Sequence, residues 1–162
     1  MTDALKIYTV ASYTHRHTVW LFQARLAAEA GVVVLDWTED APALSLPVSE
    51  RRALLNAGTS CLVADQREAA CVAADLMVYL GDSGKDTAVQ VGMAKAVGTP
   101  VLGVPGPLET VGLMLLNAVS LWVDGPEDAL DVIVQVARCR RHGEPERTCG
   151  SCPASRVCCL VH

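Results

Sequence analysis

The feature that most constrains this chain is a repeated switch of apolar period. Short β-branched runs alternate with stretches whose apolar side chains recur at helical spacing. Residues 5–11, LKIYTVA, read as a strand, and Thr18 to Ala30 as a helix that Gly31 stops. VVVLDW is a second strand, Val48 to Ala57 and Asp65 to Ala74 are two helices, and DLMVYLG is a third strand. A helix capped by Asp86 or Thr87 runs through VQVGMAKAVG and ends at Gly98 and Pro100, where the strand PVLGV begins. Val111 to Val119 is helical, LWV is a short last strand, and Pro126 opens a final helix that reaches about Arg138.

Strands that alternate with helices of this length pair in parallel through right-handed crossovers, because a hairpin cannot join parallel neighbours. The expected architecture is α/β, with a doubly wound, mostly parallel five-stranded sheet of the flavodoxin or Rossmann kind. A chain of 162 residues, 51% hydrophobic, can fill one such core without staples. Residues 1–140 are expected to form the domain and residues 141–162 a cysteine-rich tail.

Composition removes several function classes. Aromatic residues are 4% of the chain, too few for a broad stacking platform, and the net charge of −5 makes duplex nucleic acid a poor partner. No apolar stretch approaches the roughly 20 residues that span a bilayer, and Met1-Thr2-Asp3 does not open a secretion signal. The expectation is a cytoplasmic protein with no membrane partner.

In a doubly wound sheet, ligands bind beyond the carboxyl ends of the strands, where the strand order reverses. That rule selects four loops: ASYTHRH, DWTED, GDSGKDT and GVPGPLE. In the first, Ser12, Thr14 and the amides after them can take a phosphate while Arg16 supplies charge, or Thr14 or Thr18 simply caps a helix. GDSGKDT combines two glycines, which let backbone approach a ligand, with hydroxyls and amides at a helix start, and it equally serves as an ordinary turn. It is neither a Walker loop nor a GxGxxG fingerprint. Trp37, Tyr8 and Tyr13 are rings for base stacking or for the core, with core the safer reading for Tyr8. Asp65, at the expected start of a helix, suits a capping carboxylate.

Taken in order, KIYTVAS, GVVVLDW, ADQREAACVAADLMVYL and DTAVQVGMAKAVGTPVLGV resemble the signature of the nucleoside 2-deoxyribosyltransferase-like superfamily, over roughly residues 5–124. The resemblance implies a nucleoside or nucleotide N-glycosidase or deoxyribosyltransferase. A Glu carboxylate attacks the anomeric carbon to give a glycosyl ester, and a second acid assists the departing base, much as in a retaining glycosidase. It places Asp65 as the assisting acid. Ser12, Tyr13 and Thr14 line the sugar or 5′-phosphate end, and Ser83, Gly84, Asp86 and Thr87 face the sugar. Asn117 completes a neighbouring subunit's pocket, so a homodimer or larger homo-oligomer is expected, with a nucleoside or nucleotide as small-molecule partner and no cofactor at the main site.

At the nucleophile's position this chain has Gln90. An amide carries no charge to attack with, so ester formation fails there. Three readings follow: a replacement that traps substrate, a natural protein that binds or senses nucleotides without cleaving them, or water activated by another acid such as Asp82 or Asp86.

Seven cysteines, an odd number, argue against a secreted disulfide framework. Cys149, Cys152, Cys158 and Cys159 have the close spacing of a tetrahedral thiolate site for zinc, with Cys139, His142 and His162 as further ligands. The alternative is a solvated tail after the polar HGEPERT linker.

Overall fold

The computed structural model describes residues 4–38, 47–56, 58–82, 84–142, 154, 157 and 160–161. Five parallel strands form one sheet: β1 (Leu5–Ala11), β2 (Val32–Leu35), β3 (Leu76–Leu80), β4 (Val101–Val104) and β5 (Leu121–Trp122). Their order is β2-β1-β3-β4-β5. The helices are α1 (Arg16–Ala27), α2 (Val48–Leu55), α3 (Gly58–Ala73), α4 (Lys85–Val97), α5 (Leu113–Ala118) and α6 (Pro126–His142). The expected doubly wound α/β architecture is the observed one.

Burial explains the composition of the strands. Every residue of β3 and β4 is buried, as covering both faces of a parallel sheet requires, and both read as unbroken apolar runs. On β4, Gly103 is dictated by packing: a Cβ there would lie 2.6 Å from the Trp122 ring and 2.8 Å from Val119. Trp122 in turn meets Tyr79 edge-on at 5.8 Å. The polar Thr9 is fully buried on β1. Its hydroxyl accepts from Gln23 Nε2 at 2.8 Å and its carbonyl from Trp37 Nε1 at 2.6 Å. Those two bonds tie α1 and the segment after β2 to the strand between them.

Several boundaries differ from the sequence expectation. The third helix begins at Gly58 rather than Asp65, so Asp65 sits exposed inside α3 instead of capping it. Gly84, not Asp86 or Thr87, is the N-cap of α4, with its amide donating to Thr87 Oγ1 at 3.4 Å. Neither Thr14 nor Thr18 caps α1: one 3₁₀ turn over Tyr13–His15 leads into it, and His15 stands at its cap position without a side-chain bond. The remaining shifts, at the ends of α1, β2, α2, β3, α5, β5 and α6, are a few residues each.

The order reverses between β1 and β3, which pair from Ile7↔Leu76 to Ala11↔Leu80. The two chains leaving these strands diverge there and open a crevice. Ser12 N donates to Asp82 O at 3.1 Å across its mouth.

Candidate functional site

A cavity of about 320 Å³ occupies that crevice. Ser12 and Tyr13 line it from the end of β1, Trp37 from the end of β2, Arg67 from α3, and Gly84 through Thr87 with Gln90 from α4. The first and third loops share it, with Gly84 packed beside Ser12.

Gln90 lies one turn into α4, partly buried, and its Nε2 donates to Tyr8 Oη at 3.2 Å. Tyr8 is 1% exposed on β1, and burial, with a smaller contribution from nearby Cys71, pushes its phenol above the ordinary range. Burial likewise pushes the Cys71 thiol up to about 11. Beneath Gln90 the core therefore presents neutral groups, the Tyr8 phenol and the Cys71 thiol. The carboxylate among the described lining residues is Asp86, in the first turn of α4, against Arg67 and Lys85.

Tyr13, Trp37 and Arg67 form one wall, and Arg16 extends their series of cations and rings beyond it. The Arg16 guanidinium lies 5.8 Å from the centre of the Tyr13 ring, Tyr13 is tilted against Trp37 at 6.4 Å, and the Arg67 guanidinium lies 5.5 Å from the centre of Trp37. Tyr13 Oη and Arg67 Nη2 are both shielded from solvent and have no hydrogen-bond partner among the described residues.

The candidate residues read from the sequence sort as follows. Tyr8 belongs to the core, with its hydroxyl accepting from Gln90, whereas Ser12, Tyr13, Trp37, Gly84, Asp86, Thr87 and Gln90 line the cavity. Thr14 is exposed and its hydroxyl pairs with that of Ser12 at 3.0 Å. Asp65 and Asn117 are exposed and do not line the cavity. Ser83 and the tail residues Cys149, Cys152, Cys158, Cys159 and His162 lie outside the described residues, and His142 is described only as the last residue of α6. Cys139 is a free thiol on α6, and no group of three metal-ligating side chains occurs among the described residues.

One functional candidate, Arg67, and one structural carboxylate, Glu109, were missed. Arg67 enters the cavity from α3 in place of Asp65. Helical spacing from the buried Cys71 could have found it, since residue 67 is four before 71 and shares its face, whereas residue 65 is turned away. Glu109, in the loop after β4, accepts from Tyr79 Oη and from Gly106 N at 3.1 Å. Those bonds engage its carboxylate in holding that loop to β3.

No protein-family model matches the sequence, and neither does any curated protein. Solved structures do resemble it. A conserved protein from Enterococcus faecalis V583 superposes with a TM-score of 0.62 at 18% identity, over 82% of this chain and 99% of the other. A 2-deoxyribosyltransferase from the psychrotolerant bacterium Bacillus psychrosaccharolyticus gives 0.51 at 19% identity, over 78% and 90%. A CMP N-glycosidase from Clostridium botulinum gives 0.47 at 12%, over 79% and 97%. No helix among the described residues is long and apolar enough to cross a membrane. With its five parallel strands and a crevice at the β1/β3 reversal, the chain has the nucleoside 2-deoxyribosyltransferase-like fold.

Proposed function

We propose that this protein binds a nucleoside or nucleotide in the β1/β3 cavity without splitting it through a glycosyl ester. The observation that carries the reading is the engagement of Gln90: an amide donating to a neutral phenol stands where the resemblance expects an attacking carboxylate. The cavity volume suits a ligand of nucleoside size, and Tyr13 and Trp37 give part of its lining aromatic character.

The test pairs binding with chemistry. Calorimetry against a panel of nucleosides and 5′-monophosphates should detect a ligand, while chromatography of the same mixtures detects no free base. Gln90→Glu should then raise base release by several orders of magnitude, because it supplies both an attacking group and a negative charge beside the developing oxocarbenium ion. Release that stays at background with Glu in place would sink any glycosidase ancestry for the cavity.

Asp86 favours a second reading, in which this carboxylate activates water directly. Base release by the unaltered chain, falling about 100-fold or more in Asp86→Asn, would establish it in place of the first.

The proposal extends to assembly. On α5, Leu113 and Met114 are 83% and 85% exposed beside Asn117, a surface suited to a second copy of the chain. Light scattering that gives a dimer for the unaltered protein and a monomer for Met114→Glu would support it; a monomer in both would end it.

A further inference from the structure

The charges lining the cavity run against those of the whole chain. The chain carries a net −5, yet the described lining residues include two cations, Arg67 and Lys85, against the single carboxylate of Asp86. Lys85 and Asp86 also open α4, a helix of 13 residues whose N-terminal amides point their positive ends toward the same space.

Arg67 is the unusual member. Its side chain is laid over Trp37 and only partly exposed, and Nη2 is shielded from water with no partner among the described residues. A guanidinium out of water is ordinarily matched by a carboxylate or by carbonyl oxygens, because its donors cost free energy when left empty. None of the ion pairs among the described residues involves Arg67. The guanidinium carbon lies 5.5 Å from the centre of the Trp37 ring, and a guanidinium presents its donors as a planar fork suited to two oxygens of one anion. A second shielded donor, Tyr13 Oη, belongs to the neighbouring ring of the same wall.

From this we propose that Arg67 is the anion receptor of the cavity, so that the ligand bears an oxyanion, a phosphate or a carboxylate, seated against the guanidinium held over Trp37. The inference rests on the reading that the cavity takes a nucleoside or nucleotide, and it narrows that reading to acidic members of the class. A phosphate would come from a nucleoside monophosphate, a carboxylate from an acidic base. Arg67 is a specificity residue in this scheme; no bond is made or broken.

The experiment measures dissociation constants by calorimetry for the full chain, Arg67→Gln and Arg67→Lys. The probes are neutral nucleosides, their 5′-monophosphates, a nucleoside of a carboxylated pyrimidine, ribose 5-phosphate and inorganic phosphate. Thermal denaturation confirms that each variant is folded. The expected result is that one anionic class binds about 30-fold or more tightly than the matched neutral nucleosides, the scale of a charge-assisted hydrogen bond. Arg67→Gln should erase that ratio while leaving neutral nucleosides within about threefold, a change too small to count as a lost bond, and Arg67→Lys should restore part of it. Whether the monophosphate or the carboxylated nucleoside gains identifies the oxyanion.

Equal binding of neutral and anionic nucleosides by the unaltered chain, or an equal loss of both in Arg67→Gln, would overturn the receptor and leave the nucleoside reading intact. Arg67-dependent binding of ribose 5-phosphate and inorganic phosphate, with no gain from any base, would do the reverse. No binding by any probe would overturn both.

Discussion

Two arginines at opposite ends of the sheet separate what holds this molecule together from what it keeps open. Arg140, on α6, reaches the amino ends of the strands. There its Nη1 forms an ion pair with Asp75 Oδ2 at 2.8 Å, and that carboxylate accepts a hydrogen bond from Lys6 N at 2.8 Å. One acid thus ties α6, the entry to β3 and the start of β1. Arg67, at the carboxyl ends, is laid over an indole with Nη2 left without a partner among the described residues. The first cation is matched by a carboxylate of the fold, whereas no ion pair among the described residues involves the second.

Asp75→Ala should be the most damaging change to this contrast. It leaves Arg140 partly buried without its counterion and frees the Lys6 amide. Complete burial would cost about 3–5 kcal/mol, but side-chain exposures of 19% and 26% reduce the expectation to about 2 kcal/mol, read from urea midpoints. Asp75→Ala combined with Arg140→Met should recover part of that loss, since the stranded charge is then gone. A single variant as stable as the parent would show that the lower end does not depend on the pair.

The core under Gln90 makes a smaller, pH-dependent contribution. Burial holds the Cys71 thiol up to about 11, above its ordinary value of 9.0, so the folded chain keeps a proton that the unfolded chain gives up. Stability from this source is fully present below pH 9 and is lost as pH rises through 11, by at most about one proton per molecule. Melting temperatures measured from pH 8 to 11 should fall, and less steeply in Cys71→Val. An equal slope in the two proteins would remove Cys71 from the account. Tyr8, shifted in the same direction, adds to the loss once pH passes its ordinary value of 10.0.

Arg67→Gln should have the smallest effect on folding. Losing the stack on Trp37 costs about 0.5–1 kcal/mol, and relieving an unmatched guanidinium offsets it, so the net change should stay within about 1 kcal/mol. A loss as large as that of Asp75→Ala would erase the difference between the two ends and make Arg67 a structural residue.

The strands were legible because parallel-sheet interiors leave little choice: LMVYL and VLGV are apolar throughout and bounded by turn residues. The position of the crevice followed from strand order by a general rule. Its inner surface was less legible. Asp65 has the chemistry of a cap, and local preference placed a helix start there, but the folded chain begins α3 at Gly58, which turns Asp65 outward and Arg67 inward. Local propensity differs by a fraction of a kcal/mol per residue, and tertiary burial of Cys71 and its neighbours outweighs it. Glu109 could not be read at all, because its partner Tyr79 lies 30 residues away and comes near only once β3 and β4 are side by side.

The Arg67 stack also gives the protein an optical property. Of its three tryptophans, Trp20 is 55% exposed and Trp122 sits against Tyr79 on the far side of β4, while Trp37 is buried at the cavity with a cation over its ring. Any occupant that draws the guanidinium off the indole, or neutralises it in place, alters the field across that chromophore. Its emission should then shift while the other two indoles stay silent, so a chain carrying Trp20→Phe and Trp122→Phe would report its own occupancy without a label.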